Sequence, residues 1–153
     1  MTESIAHRED IPTTVRLDDQ LCFALYAATN AVTRAYRPLL DDIGITYPQY
    51  LVLLVLWEQR SSTIGAIAKH LHLPAHSISP IIDRLEHRQL VRRVDDPHDG
   101  RRVVVELLPA GSDLEVRAAA AWHEVRCRTL LAPAELAELR AQLLDLVDRM
   151  DPS

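Results

Sequence analysis

The chain is poor in cysteine, glycine and phenylalanine: two Cys, four Gly and one Phe in 153 residues. Two thiols, Cys22 and Cys127, lie about a hundred residues apart. That excludes a disulfide-stapled scaffold and leaves a transient redox role or plain burial as a small hydrophobe. Few glycines and few β-branched runs exclude an all-β architecture. No run approaches the roughly 20 apolar residues that span a bilayer, and Arg8, Glu9 and Asp10 do not make a signal peptide. A soluble cytoplasmic protein without membrane contact is therefore expected. Positive charge is not in surplus: the net charge is -5. Nucleic acid cannot be coated by bulk attraction here and would need one local basic surface. The 48% hydrophobic content excludes a disordered chain and suits one domain with a sizeable core. His70-Leu71-His72 with nearby His76 has no cysteine close in sequence, so a zinc set is not expected. No cofactor motif is present. Neither Cys-x-x-Cys nor a catalytic His/Asp set accompanies Cys22, which speaks against a thiol peroxidase.

Residues 1–16 are polar and mixed, an expected flexible tail. From Leu17 to about Leu40, Leu21, Leu25, Ala28, Val32 and Tyr36 recur at helical spacing, with Asp18 and Asp19 suited to the helix start. Gly44 helps end that segment. Thr46-Tyr47-Pro48-Gln49 reads as a capping box opening a helix to about Gln59. This helix is apolar nearly all round and should lie at the centre of the domain. Ser62 is expected to cap a short helix from Thr63 to His70. Leu73-Pro74 breaks it and starts another, with Ile78, Ile81, Ile82 and Leu85 inward: a helix-turn-helix. Leu90–Val94 and Arg101–Leu107 read as strands around the turn Asp95-Asp96-Pro97-His98-Asp99-Gly100. Helices at about 110–130 and 133–150 close the chain. The last carries Leu136, Leu139, Leu143, Leu146 and Met150, a seam that needs a partner. That partner is the first helix or, preferred here, a second subunit.

The expected fold is thus mainly α with a small β-hairpin, in one domain over residues 17–150. A winged helix-turn-helix over about 46–108 is joined to long dimerisation helices at about 17–41 and 109–150. A helix of this kind fits the major groove of duplex DNA and reads base edges from its N-terminal part. With the inward positions assigned, His76, Ser77, Ser79, Pro80 and Arg84 remain for DNA, and Arg84 and Arg88 can meet phosphate. Arg101 lies in the wing, where an arginine can enter a narrow minor groove. Asp99 is expected to hold Arg101 by a paired hydrogen bond. The bland alternative is a solvated surface, and Asp83, Glu86, Asp95 and Asp96 favour it.

This order of elements, and above all Asp95-Asp96-Pro97-His98-Asp99-Gly100-Arg101, resembles the MarR family of bacterial transcription regulators over residues 17–150. His98 is a mild departure from the family's wing signature. Leu21-Cys22-Phe23-Ala24-Leu25-Tyr26, Tyr36 and Gly44-Ile45-Thr46-Tyr47-Pro48-Gln49-Tyr50 are similar to the OhrR branch, which senses organic hydroperoxides. Cys127 looks like the second cysteine of that branch's two-cysteine type. The resemblance implies that Cys22 is oxidised, that Cys127 of the other subunit resolves it, and that Tyr36 and Tyr47 of the partner stabilise the thiolate. Tyr36 lies about 21 Å from Cys22 along a continuous helix, so it cannot serve its own thiol. Tyr26 and Tyr50 are expected to be packing residues. Arg126 and Arg128 flank Cys127 and either favour its thiolate or face water.

The expected function is a homodimeric repressor that binds a pseudo-palindromic DNA operator when reduced and releases it on oxidation by organic hydroperoxide. The alternatives are a MarR-type repressor responding to a small aromatic or phenolic ligand, and a thiol sensor of other oxidants.

Overall fold

A computed structural model describes residues 13–151. The expectation of a tail over 1–16 therefore falls largely outside the described residues. Helix α1 spans Leu21–Ile43, after a single 3-10 turn at Leu17–Asp19. Asp18 and Asp19 belong to that turn, and Gln20, in extended backbone, precedes the helix proper. Gly44 ends α1 in the left-handed region at φ 76°, donating its amide to the carbonyls of Leu40 and Asp41. A glycine suits that conformation at no steric cost. Helix α2, Tyr47–Gln59, opens with the predicted capping box: the Gln49 amide donates to Thr46 and the Thr46 amide to the Gln49 side chain.

The helix-turn-helix follows as α3 (Ile64–His70) and α4 (Ala75–His87). Thr63, not Ser62, caps α3, its hydroxyl accepting from the Ala66 amide at 3.1 Å. Ser62 instead lies buried in a short strand β1, Ser61–Thr63, opposite Val105. Strands β2 (Val91–Asp95) and β3 (Val103–Leu107) form the wing. The expected two-stranded hairpin is thus a three-stranded antiparallel sheet in the order β1-β3-β2. Three polar residues carry no strand periodicity of their own; Ser61–Thr63 becomes a strand because β3 offers it an open edge.

Helices α5 (Pro109–Arg128) and α6 (Pro133–Met150) complete the chain. Helix α5 crosses close to the wing at Gly111, whose carbonyl accepts from the Trp57 indole at 2.9 Å. A Cβ there would stand 2.2 Å from the Leu90 carbonyl oxygen, so only glycine fits. The core is built from α2, α3, α4 and the wing: Val52, Leu53, Leu56, Ile67, Ile78, Ile82, Leu85 and Val105 are fully buried. The α1 face named from the sequence is covered within the chain only at its C-terminal end, at Tyr36. Leu21 is 57% and Val32 39% exposed, and only Tyr36, Leu40 and Ile43 of α1 are buried. On α6 no residue is buried, and Leu139, Leu143 and Met150 are exposed.

Candidate DNA interface and thiol site

Helix α4 turns Ile78, Ile82 and Leu85 into the core, which leaves His76, Pro80 and Arg84 exposed and Ser77 and Ser79 half-buried. Ser77 closes the first turn by donating its hydroxyl to the Pro74 carbonyl at 2.7 Å. Ser79 is engaged within the chain: Arg93 of β2 donates to its hydroxyl at 3.4 Å. The same guanidinium reaches Asp83 at 2.6 Å and Glu86 at 3.0 Å, while Glu86 accepts the Arg93 amide at 2.7 Å. Burial opposes the Arg93 charge, but the two carboxylates outweigh it and hold the side chain protonated above its ordinary range. Arg93 thus fixes the angle between α4 and the wing. Two of the acidic residues that counted against DNA binding are consumed by this clamp.

The wing turn is built by its aspartates. Asp96 accepts the His98 amide at 2.9 Å, and Asp99 accepts the Arg101 amide at 3.1 Å through its carboxylate. Asp99 therefore holds the backbone of Arg101 and not its guanidinium, correcting the expected paired bond. An aspartate binding the amide two residues on is a local turn device. It leaves the exposed Arg101 side chain free at the tip. Arg88 is a second correction: its guanidinium donates to the Gly44 carbonyl, linking the end of α4 to the α1–α2 turn instead of facing DNA.

Both cysteines are free and exposed. Cys22 is the second residue of α1, where unpaired backbone amides and the positive end of the helix dipole favour an anion. Its thiol points at Gln20 Oε1, 3.9 Å away. Tyr36 sits on the same unbroken helix, so the two cannot meet within one chain. Tyr36, Tyr47 and Tyr50 form a cluster with ring centroids 5.2–6.0 Å apart. Burial, then its hydrogen bond with Tyr50, pushes Tyr36 well above the ordinary phenol range, and burial also raises Tyr47 and Tyr50. All three stay protonated donors at neutral pH. Tyr47 is half-buried and walls an open groove between α1 and α6 with Leu25, Val32 and Leu143. Tyr50 is a core residue, as expected, whereas Tyr26 is 68% exposed and fills no core within the chain.

Around Cys127, the flanking arginines are both occupied. Arg126 lies over the Trp122 ring at 5.3 Å, and Arg128 pairs with Glu124 at 2.5 Å. The close neighbour is a residue that sequence reasoning passed over: His123, whose Nε2 is 3.7 Å from Cys127 Sγ. The signal was present, a histidine four residues before a cysteine on one helix face. No group of three or more His, Cys, Asp or Glu suited to a metal occurs among the described residues. No single helix among them is long and apolar enough to cross a membrane.

Residues 45–103 match the MarR family model. The organic hydroperoxide resistance transcriptional regulator of Bacillus subtilis is 33% identical over 136 residues, covering 89% of this chain and 92% of that protein. The HTH-type transcriptional regulator TtmR of Methylorubrum extorquens is 42% identical, covering 88% of this chain and 68% of its own length. The structure of reduced AbfR bound to DNA superposes with a TM-score of 0.71 at 30% identity, covering 88% and 94% of the two chains. AbfR has also been solved overoxidised on DNA and in a disulfide form. The chain belongs to the MarR family of transcription regulators. It is a DNA-binding regulator and not an enzyme.

Proposed function

We propose that this regulator is a homodimeric repressor switched by oxidation of Cys22. The observation that carries the reading is the pairing of two free, exposed thiols with helices whose apolar faces are uncovered in one chain. In a dimer built on α1, α5 and α6, Cys22 of one subunit approaches the tyrosine cluster and Cys127 of the other. Tyr47 is the better placed donor, because Tyr36 is only 7% exposed and packed against the Tyr50 ring. The similarity to a Bacillus regulator of organic hydroperoxide resistance supports an organic hydroperoxide as the oxidant.

Reduced, the dimer sets one α4 into each half-site of a pseudo-palindromic operator, half-sites about 34–36 Å apart. His76, Ser77, Pro80 and Arg84 face the major groove, Ser79 helps hold Arg93, and Asp99 shapes the turn that sends Arg101 into the minor groove. The Cys22 thiolate attacks the peroxide oxygen and the O–O bond breaks; the alkoxide takes a proton from water and leaves as an alcohol, and a sulfenic acid remains. Cys127 of the partner then forms the S–S bond as water departs. A disulfide needs Cα atoms within about 7 Å. The dimer helices must close to that distance, and the helix-turn-helix units they carry move with them. That AbfR has been solved on DNA both reduced and overoxidised supports disulfide formation, and not oxidation of one thiol, as the releasing event.

Operator binding measured with and without cumene hydroperoxide tests this. The wild type should lose affinity and regain it with dithiothreitol, and Cys22→Ser should bind and never release. Release of Cys22→Ser by peroxide rejects Cys22 as sensor. A second reading rests on one cleft of about 470 Å³ between α2, α5 and α6, lined by Tyr50, Leu54, Trp57, Trp122 and Arg140. It has the size and apolar walls of a ligand site, with Arg140 suited to a carboxylate. Release of Cys22→Ser by an aromatic acid would favour that reading.

A further inference from the structure

We propose that His123 is the proton acceptor that arms Cys127 for disulfide formation; this rests on the redox reading above. The two side chains stand one turn apart on α5, with Cys127 Sγ 3.7 Å from His123 Nε2. That is hydrogen-bond reach for sulfur. With the imidazole proton on Nδ1, Nε2 is the free acceptor. No other described group competes for the task. Arg126 is drawn onto Trp122 and Arg128 onto Glu124, so the cations beside Cys127 in sequence are spent elsewhere. Cys127 lies near the C-terminal end of α5, where the helix dipole disfavours an anion. A thiol at such a place needs a local base to become a nucleophile.

The step balances as follows. His123 Nε2 takes the proton from Cys127 Sγ. The sulfur attacks the sulfenic sulfur of the partner subunit's Cys22, forming S–S and breaking S–O. The departing hydroxide takes the proton back from the imidazolium and leaves as water. The two electrons were already removed from Cys22 by the organic hydroperoxide, so no further oxidant is required. The arrangement divides the labour between the two thiols: Cys22 uses a helix N-terminus and phenol donors, and Cys127 uses a base.

The test makes Cys127 the only thiol. In the Cys22→Ser protein, the alkylation rate of Cys127 by iodoacetamide at pH 7 is compared among His123, His123→Ala and His123→Gln. Both substitutions should slow alkylation by about tenfold, because no neighbouring base then takes the thiol proton as the sulfur attacks. Glutamine keeps a polar group and cannot take the proton, so a merely structural histidine would be replaced by it without loss. Added imidazole should restore part of the rate in His123→Ala. With Cys22 present, the same His123 substitutions should slow Cys22–Cys127 disulfide formation after one equivalent of cumene hydroperoxide, while Cys22 sulfenic acid forms at the normal rate. Equal alkylation rates in all three proteins, or a full rate with glutamine, overturn the role of His123. Slowed alkylation in a protein whose wild type forms no disulfide instead overturns the redox reading, and the resolving step with it.

Discussion

The DNA-binding lobe and the long helices solve the same burial problem in opposite ways. The lobe closes its core within one chain: Ile78, Ile82, Leu85 and Val105 are at zero exposure, and Arg93 ties α4 to the wing. The long helices leave Phe23, Val32, Trp122, Leu139 and Leu143 between 39% and 46% exposed. Large apolar side chains left exposed on three long helices mark an interface. The lobe is therefore a rigid reader, and the helices are the adjustable part whose packing depends on a second copy. Both thiols sit on the adjustable part, where a new covalent bond can move helices without dismantling the reader.

The largest effects should separate the two regions by their dependence on concentration. A Leu139→Arg, Leu143→Arg double variant places two charges in the uncovered seam of α6 and should abolish the dimer and operator binding together, read by light scattering and gel shift. Ile82→Ala, in the closed core, should cost about 2–5 kcal/mol of folding stability by cavity formation. Its loss of Tm should be the same at every protein concentration, whereas that of a single Leu143→Ala should shrink as protein concentration rises. A concentration-independent Leu143→Ala would mean that α6 is stabilised within its own chain.

Next in size is the wing. Arg101→Ala should weaken operator binding by about 1–3 kcal/mol while the fold persists, because the turn is held by aspartate-to-amide bonds that do not use the guanidinium. Unchanged affinity at several salt concentrations would remove Arg101 from the interface. Smaller still are the phenols. Tyr47→Phe should slow peroxide oxidation of Cys22 more than Tyr36→Phe, since Tyr47 is the more accessible donor. Tyr36→Phe has its own signature at alkaline pH. Burial raises the folded phenol above its ordinary 10.0, so above pH 10 the unfolded chain loses a proton that the folded one keeps. Stability then falls by about 1.4 kcal/mol per pH unit from this group, and the phenylalanine variant should lose that slope.

What was readable in the sequence was local. Thr46 and Gln49 announce a capping box, Gly44 a helix end, and Asp96-Pro97-His98-Asp99-Gly100 a turn, because each acts within a few residues. The inward stripe Ile78, Ile82, Leu85 followed from helical period alone. What was not readable depends on chain brought from far away. Strand β1 exists only because β3 runs beside it, Arg93 reaches back ten residues to Asp83, and Arg88 reaches Gly44 across the domain. The partner of Asp99 is another such case, since by spacing a carboxylate two residues before an arginine can serve its amide or its guanidinium equally well, and here it accepts the amide.

The proposed switch is tested most directly by peptide mapping of the wild type after one equivalent of organic hydroperoxide, alongside a non-reducing gel. A covalent dimer joining Cys22 of one subunit to Cys127 of the other, reversed by dithiothreitol and formed in step with loss of operator binding, is the predicted result. Operator release with both thiols unlinked would contradict it.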